Sequence, residues 1–369
     1  MSNIAVQRLY NQRLLQTEFQ TQSEVVAWMG AVQSQDYAFA KWALGLRLVN
    51  GTDAVIEQAF NAGAILRTHV MRPTWHFVTP ADIRWMLELT APRVNAFNAY
   101  KYRQLELDEP LLRRSSAALA KALQGGKQLT RNELRVVLQK AGVATGPLHR
   151  GGEHRMAYIL MWAELDGVIC SGPRRGKQFT YMSLDERAPH ARKLTRDEAL
   201  AELTRRYFAS HGPATPQDFA WWSGLTMADA KAGLDMHGSQ LSHEVIGGRT
   251  CWFSSVETAV KDKAIAAHLL PALDEYTVAY QDKSAVFDPT DTKRLGDRGE
   301  FLTNHVIVVN GRIAGTWRRK LKKDAVIFTC NLFATLKTAE QRLFAAAIQR
   351  YGKFLDLAVV GEVGVTRIS

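Results

Sequence analysis

Two glutamines at alternate positions, Gln33 and Gln35, flank Ser34 in the stretch 31-AVQSQDYAFAKWALGLR-47, which is otherwise largely apolar. A primary amide has two donors and two acceptor lone pairs. A pair of them in an apolar segment is therefore either an internal network or a device for holding something polar that arrives from outside. An amide is neither a general acid nor a general base at neutral pH, which excludes reactions that need an early proton transfer or protonation of a poor leaving group. Two amides can orient a water and stabilise developing charge, and that suffices only where the leaving group is already activated. If the backbone is extended, alternate side chains share a face and can act on one water; on a helix they would diverge by about 200°.

Around this pair, Asp36 is the nearest carboxylate, read as a supporting group or as the cap of a helix over 37–46. In 67-RTHVMRPTWHFVTP-80, His69, Arg72 and His76 are candidates for contact with a substrate, against a structural reading of salt bridges and aromatic packing. Other catalytic signatures are absent: there is no GxGxxG opening a βαβ unit, no GxxxxGK[ST], no HExxH and no GxSxG. The acidic residues and the ten histidines fall in no metal-binding spacing, and neither a metal nor a cofactor is expected. Cys170, Cys251 and Cys330 are an odd number, widely spaced, and read as reduced thiols of a cytoplasmic protein. No export signal and no membrane-spanning run is read in the chain.

The elements that must carry these residues come with a charge pattern. The chain of 369 residues has 47 Lys and Arg against 36 Asp and Glu, a net of +11. Between Leu112 and Lys177 twelve basic residues face only four acidic ones, which favours a polyanionic partner. In the same region the pattern predicts helices over 112–124, 131–140 (with Thr130 and Glu133 as a capping box) and 152–165, and then two short strands around a basic turn. Three helices and a basic hairpin is the order of a winged helix, with Arg150 and Arg155 at the recognition helix and Arg174, Arg175 and Lys177 at the wing tip as DNA contacts. The order recurs from Asp197 to Ser254, with Thr215 capping a helix that starts at Pro216 and Gly247-Gly248 at a hairpin turn. A more divergent copy is read at the N-terminus, with helices over 3–15, 23–31 and 54–61 and a strand pair turning at Met71-Arg72-Pro73. Beyond Lys261, YTVAY, HVIVVNGRIAGTWRR and AVIFTCNLF read as strands, followed by a helix over about 337–350.

A basic, duplex-embracing scaffold with a site of two amides suits a purine alkylated on N7. Its ring is cationic, and cleavage of the glycosidic bond releases it as a neutral base. The chain resembles the AlkZ-like bacterial DNA glycosylases, including their YcaQ-like branch, over nearly its whole length. The resemblance rests on 31-AVQSQDYAFAKWALGLR-47, 67-RTHVMRPTWHFVTP-80, 269-LLPALDEYTVAY-280 and 310-NGRIAGTWRR-319. It implies an α+β fold of three tandem winged-helix motifs around a concave DNA-binding channel, with a β-rich C-terminal unit; in this chain the segments would be 1–110, 111–192, 193–260 and 261–369. It also implies monofunctional hydrolysis of N-alkylated purines such as N7-alkylguanine in double-stranded DNA, with some members unhooking interstrand crosslinks. The family's catalytic motif, glutamine, any residue, glutamine, is matched by Gln33 and Gln35; the YcaQ-like branch has aspartate second, and this chain does not. Asp274 and Glu275 are expected to fix the C-terminal unit to the first motif. A monomer is expected.

The alternative is a non-catalytic tandem winged-helix transcriptional regulator, and a third reading is a structural protein with merely basic wings. An enzyme needs access to Gln33 and Gln35, whereas the other two let them be buried and internally satisfied.

Overall fold

The computed structural model describes residues 4–146, 152–254, 266–295, 304–360 and 364–367. The chain forms two compact units by contact, one of Met1–Glu57, Leu203–Trp222 and Met227–Ser369, the other of Gln58–Glu202 and Ser223–Thr226. Both mix helices and sheet, so the class is α+β. Among the described residues no helix is long and apolar enough to cross a membrane.

In the first unit a mostly antiparallel sheet runs in the order Ala358–Val359, Ala325–Leu332, Arg312–Leu321, Val306–Val309, Ala267–Leu270; Gly364–Arg367 also pairs with Ala325–Leu332, in parallel. The Asn310-Gly311 turn, both residues at positive φ, joins two of these strands as the sequence predicts. The helix Thr338–Leu355 covers the sheet, and Trp42 from the helix Tyr37–Gly45 packs on its Tyr351 and Phe354 with ring centroids 4.7 and 5.0 Å apart. The indole N–H groups of Trp42 and Trp317 donate to the carbonyls of Leu269 and Leu270, so these buried aromatics leave no polar atom unsatisfied. YTVAY is not a strand: Asp274 caps a single helical turn, Glu275–Val278, by accepting from Tyr276 N–H. The β-branched and aromatic residues that suggested a strand are instead held in place by full burial.

The second unit holds the helices Glu109–Leu123, Arg131–Lys140 and Gly152–Leu165 with a sheet ordered Leu129–Thr130, Thr180–Ser183, Ile169–Ser171. Leu112, Leu119, Leu134, Leu138, Met156 and Ile159 meet in its core. The capping box is present: Thr130 accepts from Glu133 N–H, and the Glu133 carboxylate accepts from Thr130 N–H. Those bonds, first the one from the Thr130 backbone and then Arg175, hold Glu133 down at about 2. The antiparallel strands Leu66–Val70 and Arg72–Val78 turn at Met71, which sits at φ 65, and they pack on the helix Ile83–Gln104. No element is expected from the sequence pattern over this 22-residue helix, which carries Pro92 in its interior, where proline removes a helical hydrogen bond.

From Arg196 the helices Arg196–His211, Pro216–Ser223 and Met227–Asp235 lead to the hairpin Leu241–Ile246 and Arg249–Ser254, with Gly247-Gly248 at its turn.

Candidate active site

Gly30 ends the helix Gln22–Met29 at φ 80, a conformation L side chains rarely adopt, and turns the chain into the short strand Val32–Gln33. From Gln33 the backbone is extended, then bends at Gln35 and Asp36 before the helix Tyr37–Gly45. The two amides consequently differ. Gln33 is 6% exposed, and its side-chain oxygen accepts from Gln35 N–H at 2.6 Å. Its amide nitrogen has no partner among the described residues and remains available as a donor. Gln35 is exposed, as is Asp36, which caps the helix by accepting from Phe39 N–H. The helix is anchored behind them by buried Lys41, which pairs with Asp53 and Glu57 at 2.8 Å each.

The support beneath this loop comes from the LLPALDEY block. Glu275 is fully buried; one carboxylate oxygen accepts from Gln33 N–H at 2.7 Å and the other from Trp222 Nε1–H at 2.9 Å. His211 Nε2 lies 3.5 Å from the second oxygen. Burial pushes His211 below its ordinary value against the pull of Glu275. Its neighbour Asp274 takes a bidentate pair from the buried Arg47 guanidinium, at 2.8 and 2.9 Å, and Arg47 also binds Gln12 and the Ala43 carbonyl. A buried pair of this kind is costly to break from one side, about 3–5 kcal/mol, because the other charge is left uncompensated. As expected from the sequence, the two acids tie this block to the N-terminal segment.

One group here escaped the sequence reading. His305, just before the strand Val306–Val309, packs its ring 3.9 Å from Phe39 and 5.1 Å from Trp317. Ala272 N–H donates to its Nδ1 at 2.8 Å, which leaves the proton on Nε2. Burial draws His305 down to about 4 despite the opposing pull of Asp36, with Arg319 and Arg318 lowering it further. At neutral pH it is an uncharged N–H donor. The Arg319 guanidinium stacks 4.4 Å from the Phe39 ring, so a cation and an imidazole both attend the first turn of the helix that follows Asp36. "NHV" has nothing to distinguish it in sequence; only the pairing of distant strands brings it here.

The remaining predicted residues lie in the other unit, among its own partners. His69 is buried and paired through Nδ1 with Glu164, its ring 4.2 Å from Trp75. His76 is buried, with Nδ1 at 3.0 Å from the Thr74 carbonyl oxygen. Arg72 is half-buried on the same strand. Arg155 donates to the carbonyls of Ala144 and Leu105, tying its helix to the preceding segment. At the basic turn Arg174 donates to the Lys177 carbonyl, Arg175 pairs with Glu133 at 2.8 Å, and Lys177 is exposed. Arg150 lies outside the described residues. Among the described residues no group of three or more His, Cys, Asp or Glu is placed to hold a metal ion.

Residues 26–354 match the model of the DNA glycosylase AlkZ-like family. The chain belongs to that family. An AlkZ-like enzyme is a DNA glycosylase, so the reading as a non-catalytic regulator falls. The chain is also 26% identical over 315 residues to an interstrand DNA cross-link repair glycosylase of Streptomyces sahachiroi, covering 80% of this chain and 81% of that protein. The solved structure of the Streptomyces sahachiroi DNA glycosylase AlkZ has the same fold, with a TM-score of 0.79 at 20% identity, covering 99% of this chain and 98% of that one.

Proposed function

We propose that this AlkZ-like glycosylase hydrolyses the N-glycosidic bond of cationic N-alkylated purines in double-stranded DNA, N7-alkylguanine above all, with Gln33 and Gln35 holding the attacking water. The observation that carries the reading is the Gln33–Gln35 bond, which fixes one amide as a buried donor while leaving the other exposed beside a carboxylate. In this mechanism the Gln35 carbonyl accepts a hydrogen bond from the water and aims its lone pair at the anomeric carbon. The Gln33 amide nitrogen donates to an oxygen of water or sugar. The exposed Asp36 carboxylate favours the positive charge that builds on the sugar as the bond lengthens. No group has to protonate the leaving base, because electrons flowing into its cationic ring make it neutral; the proton that the water sheds as the new C–O bond forms is released to solvent. Preorganised hydrogen bonds of this kind are worth about 2.7–4 kcal/mol of barrier each.

Arg319 on the strand Arg312–Leu321, with the His305 N–H, supplies donors for the phosphate backbone next to the reacting nucleotide. The helix, helix, helix, hairpin order of 109–183 and of 196–254 supports a tandem winged-helix scaffold, with 1–110 as a divergent copy, 111–192 and 193–260 as regular ones and 261–369 as the β-rich remainder. Like the Streptomyces relative, whose name describes cross-link repair, this enzyme would act on bulky N7 adducts and interstrand crosslinks as a monomer.

The test is a panel of duplexes carrying N7-methylguanine, a bulky N7-guanine adduct, uracil or 8-oxoguanine, with free base measured by chromatography. Release is expected from the two cationic lesions and not from the neutral bases, whose departure needs an acid that amides cannot provide. Uracil release, with none from either cationic lesion, overturns the reading.

A further inference from the structure

Glu275 is fully buried, so it meets no substrate, yet its carboxylate is the group that holds the backbone of Gln33. We infer that Glu275 is a positioning residue of the glycosylase reaction: by fixing the Gln33 peptide N–H, it sets the loop on which both water-holding amides stand. The inference rests on the role proposed above for Gln33 and Gln35.

The geometry leaves the carboxylate little freedom. One oxygen takes the Gln33 N–H and the other the Trp222 Nε1–H, and both donors are fixed by their surroundings. Trp222 is fully buried, with Tyr207 and His211 at ring-centroid distances of 5.0 and 5.2 Å. Gly30 approaches the same indole, which would lie 3.4 Å from a Cβ at that position. His211 is fixed in turn by its contact with Ser210 Oγ at 2.7 Å and by stacking on Tyr207 at 4.9 Å. From Gln33 the constraint passes to Gln35, because the Gln33 side-chain oxygen receives the Gln35 N–H. Two consecutive hydrogen bonds therefore connect a buried acid to the backbone that carries the exposed Gln35 side chain. Only an acceptor with two oxygens satisfies both N–H groups at 275. An amide there has one oxygen and one NH2 group. If the oxygen faces Gln33, the NH2 faces the Trp222 N–H, donor against donor; if it turns, Gln33 loses its anchor.

That conflict provides the test. Glu275→Gln is expected to slow single-turnover release of N7-methylguanine at saturating enzyme by roughly 30- to 100-fold, in the range seen when one preorganised group is lost, with duplex affinity changed by less than about twofold. Glu275→Asp, which keeps the charge but withdraws it from Gln33, is expected to be slow as well and carries the test if the amide variant does not fold. Adding Trp222→Phe to Glu275→Gln removes the opposing donor, so the amide can turn its oxygen to Gln33 and its NH2 to His211. Release by the double variant is expected to return to within about fivefold of Trp222→Phe alone, while its melting temperature falls below that of either single variant. A purely structural Glu275 would move rate and melting temperature together and give no rescue. Gln35→Ala separates the two ideas. If that variant releases base at the wild-type rate, the reading of the site itself fails. If it is slow while Glu275→Gln and Glu275→Asp are as fast as wild type, or if the double variant is no faster than Glu275→Gln, the site stands and the positioning role is overturned.

Discussion

Gln33 and Gln35 are one residue type in two environments, and substitution should separate their duties. Gln35→Ala removes an exposed amide, so base release should fall by roughly 30- to 1000-fold, equivalent to about 2 to 4 kcal/mol of barrier, with the melting temperature unchanged. Gln33→Ala should be comparably slow and also less stable by about 1 kcal/mol, because it deletes a buried side chain and its bond to Gln35 N–H. Single-turnover kinetics with calorimetry on both variants checks this; wild-type rates for the pair would remove them from the reaction. The residue types and their alternation were legible in the sequence, and so was the requirement for an extended backbone, which Gln33 meets. Their inequality was not, because it depends on Glu275, 242 positions away. For the same reason the histidines beside Trp75 drew notice, although His69 is matched by buried Glu164. His305, which does neighbour the loop, stands in an unremarkable run.

At the scale of elements, local chemistry was legible at several caps and turns, although the Asp108 cap of the helix Glu109–Leu123 was not. The helix Arg131–Lys140 starts at its capping box, and the Gly247-Gly248 and Asn310-Gly311 turns close their hairpins. Where tertiary packing overrides local preference the outcome differs, as at the single turn Glu275–Val278, which local propensity marks as a strand. The basic turn after Ile169–Ser171 was legible as a hairpin but not in how its charges are used. Arg174 and Arg175 are partly occupied by the Lys177 carbonyl and by Glu133, whereas Lys177 is exposed. Lys177→Ala should therefore lower the slope of log K against log salt for duplex binding by about 0.9, the value for one phosphate contact. Arg174→Ala and Arg175→Ala should each lower it by less than about 0.5. The Arg175–Glu133 pair is exposed and screened by solvent, so this is an argument about geometry more than strength. Equal slope changes for all three would show that the arginines leave their internal partners when DNA binds.

At the scale of the whole molecule the chain does not divide in order along its length. It leaves one compact unit after Glu57 and returns at Leu203, and Arg47 meets Asp274 inside that unit across 227 positions. The four linear segments proposed above follow local pattern; the compact units are a different partition, set by contacts that no local pattern encodes. This unit also holds three histidines, His211 and His268 buried and His305 half-buried, in forms that resist protonation. His268 is held at about 3 and His305 at about 4, in both cases chiefly by burial, and His211 is lowered by burial as well. Their folded values lie below the unfolded value near 6.5, so the unfolded chain takes up protons first as the pH falls. The stability that goes with the neutral histidines is complete above about pH 6.5 and is lost as the pH drops toward 4. His268 and His305 each contribute about 1.4 kcal/mol per pH unit inside that window, and His211 acts in the same direction. The carboxylates held low, Glu133 among them, act only below about pH 4.5, so the interval from 6.5 to 4.5 isolates the histidines. Urea unfolding at half-unit steps from pH 7.5 to 4.5 should show stability level at first and then falling, and His268→Gln, uncharged at every pH, should remove between about a third and a half of the slope. Stability that stays flat down to pH 5, or a slope untouched by His268→Gln, would mean that these rings are protonated within the fold and that their burial is relieved before unfolding begins.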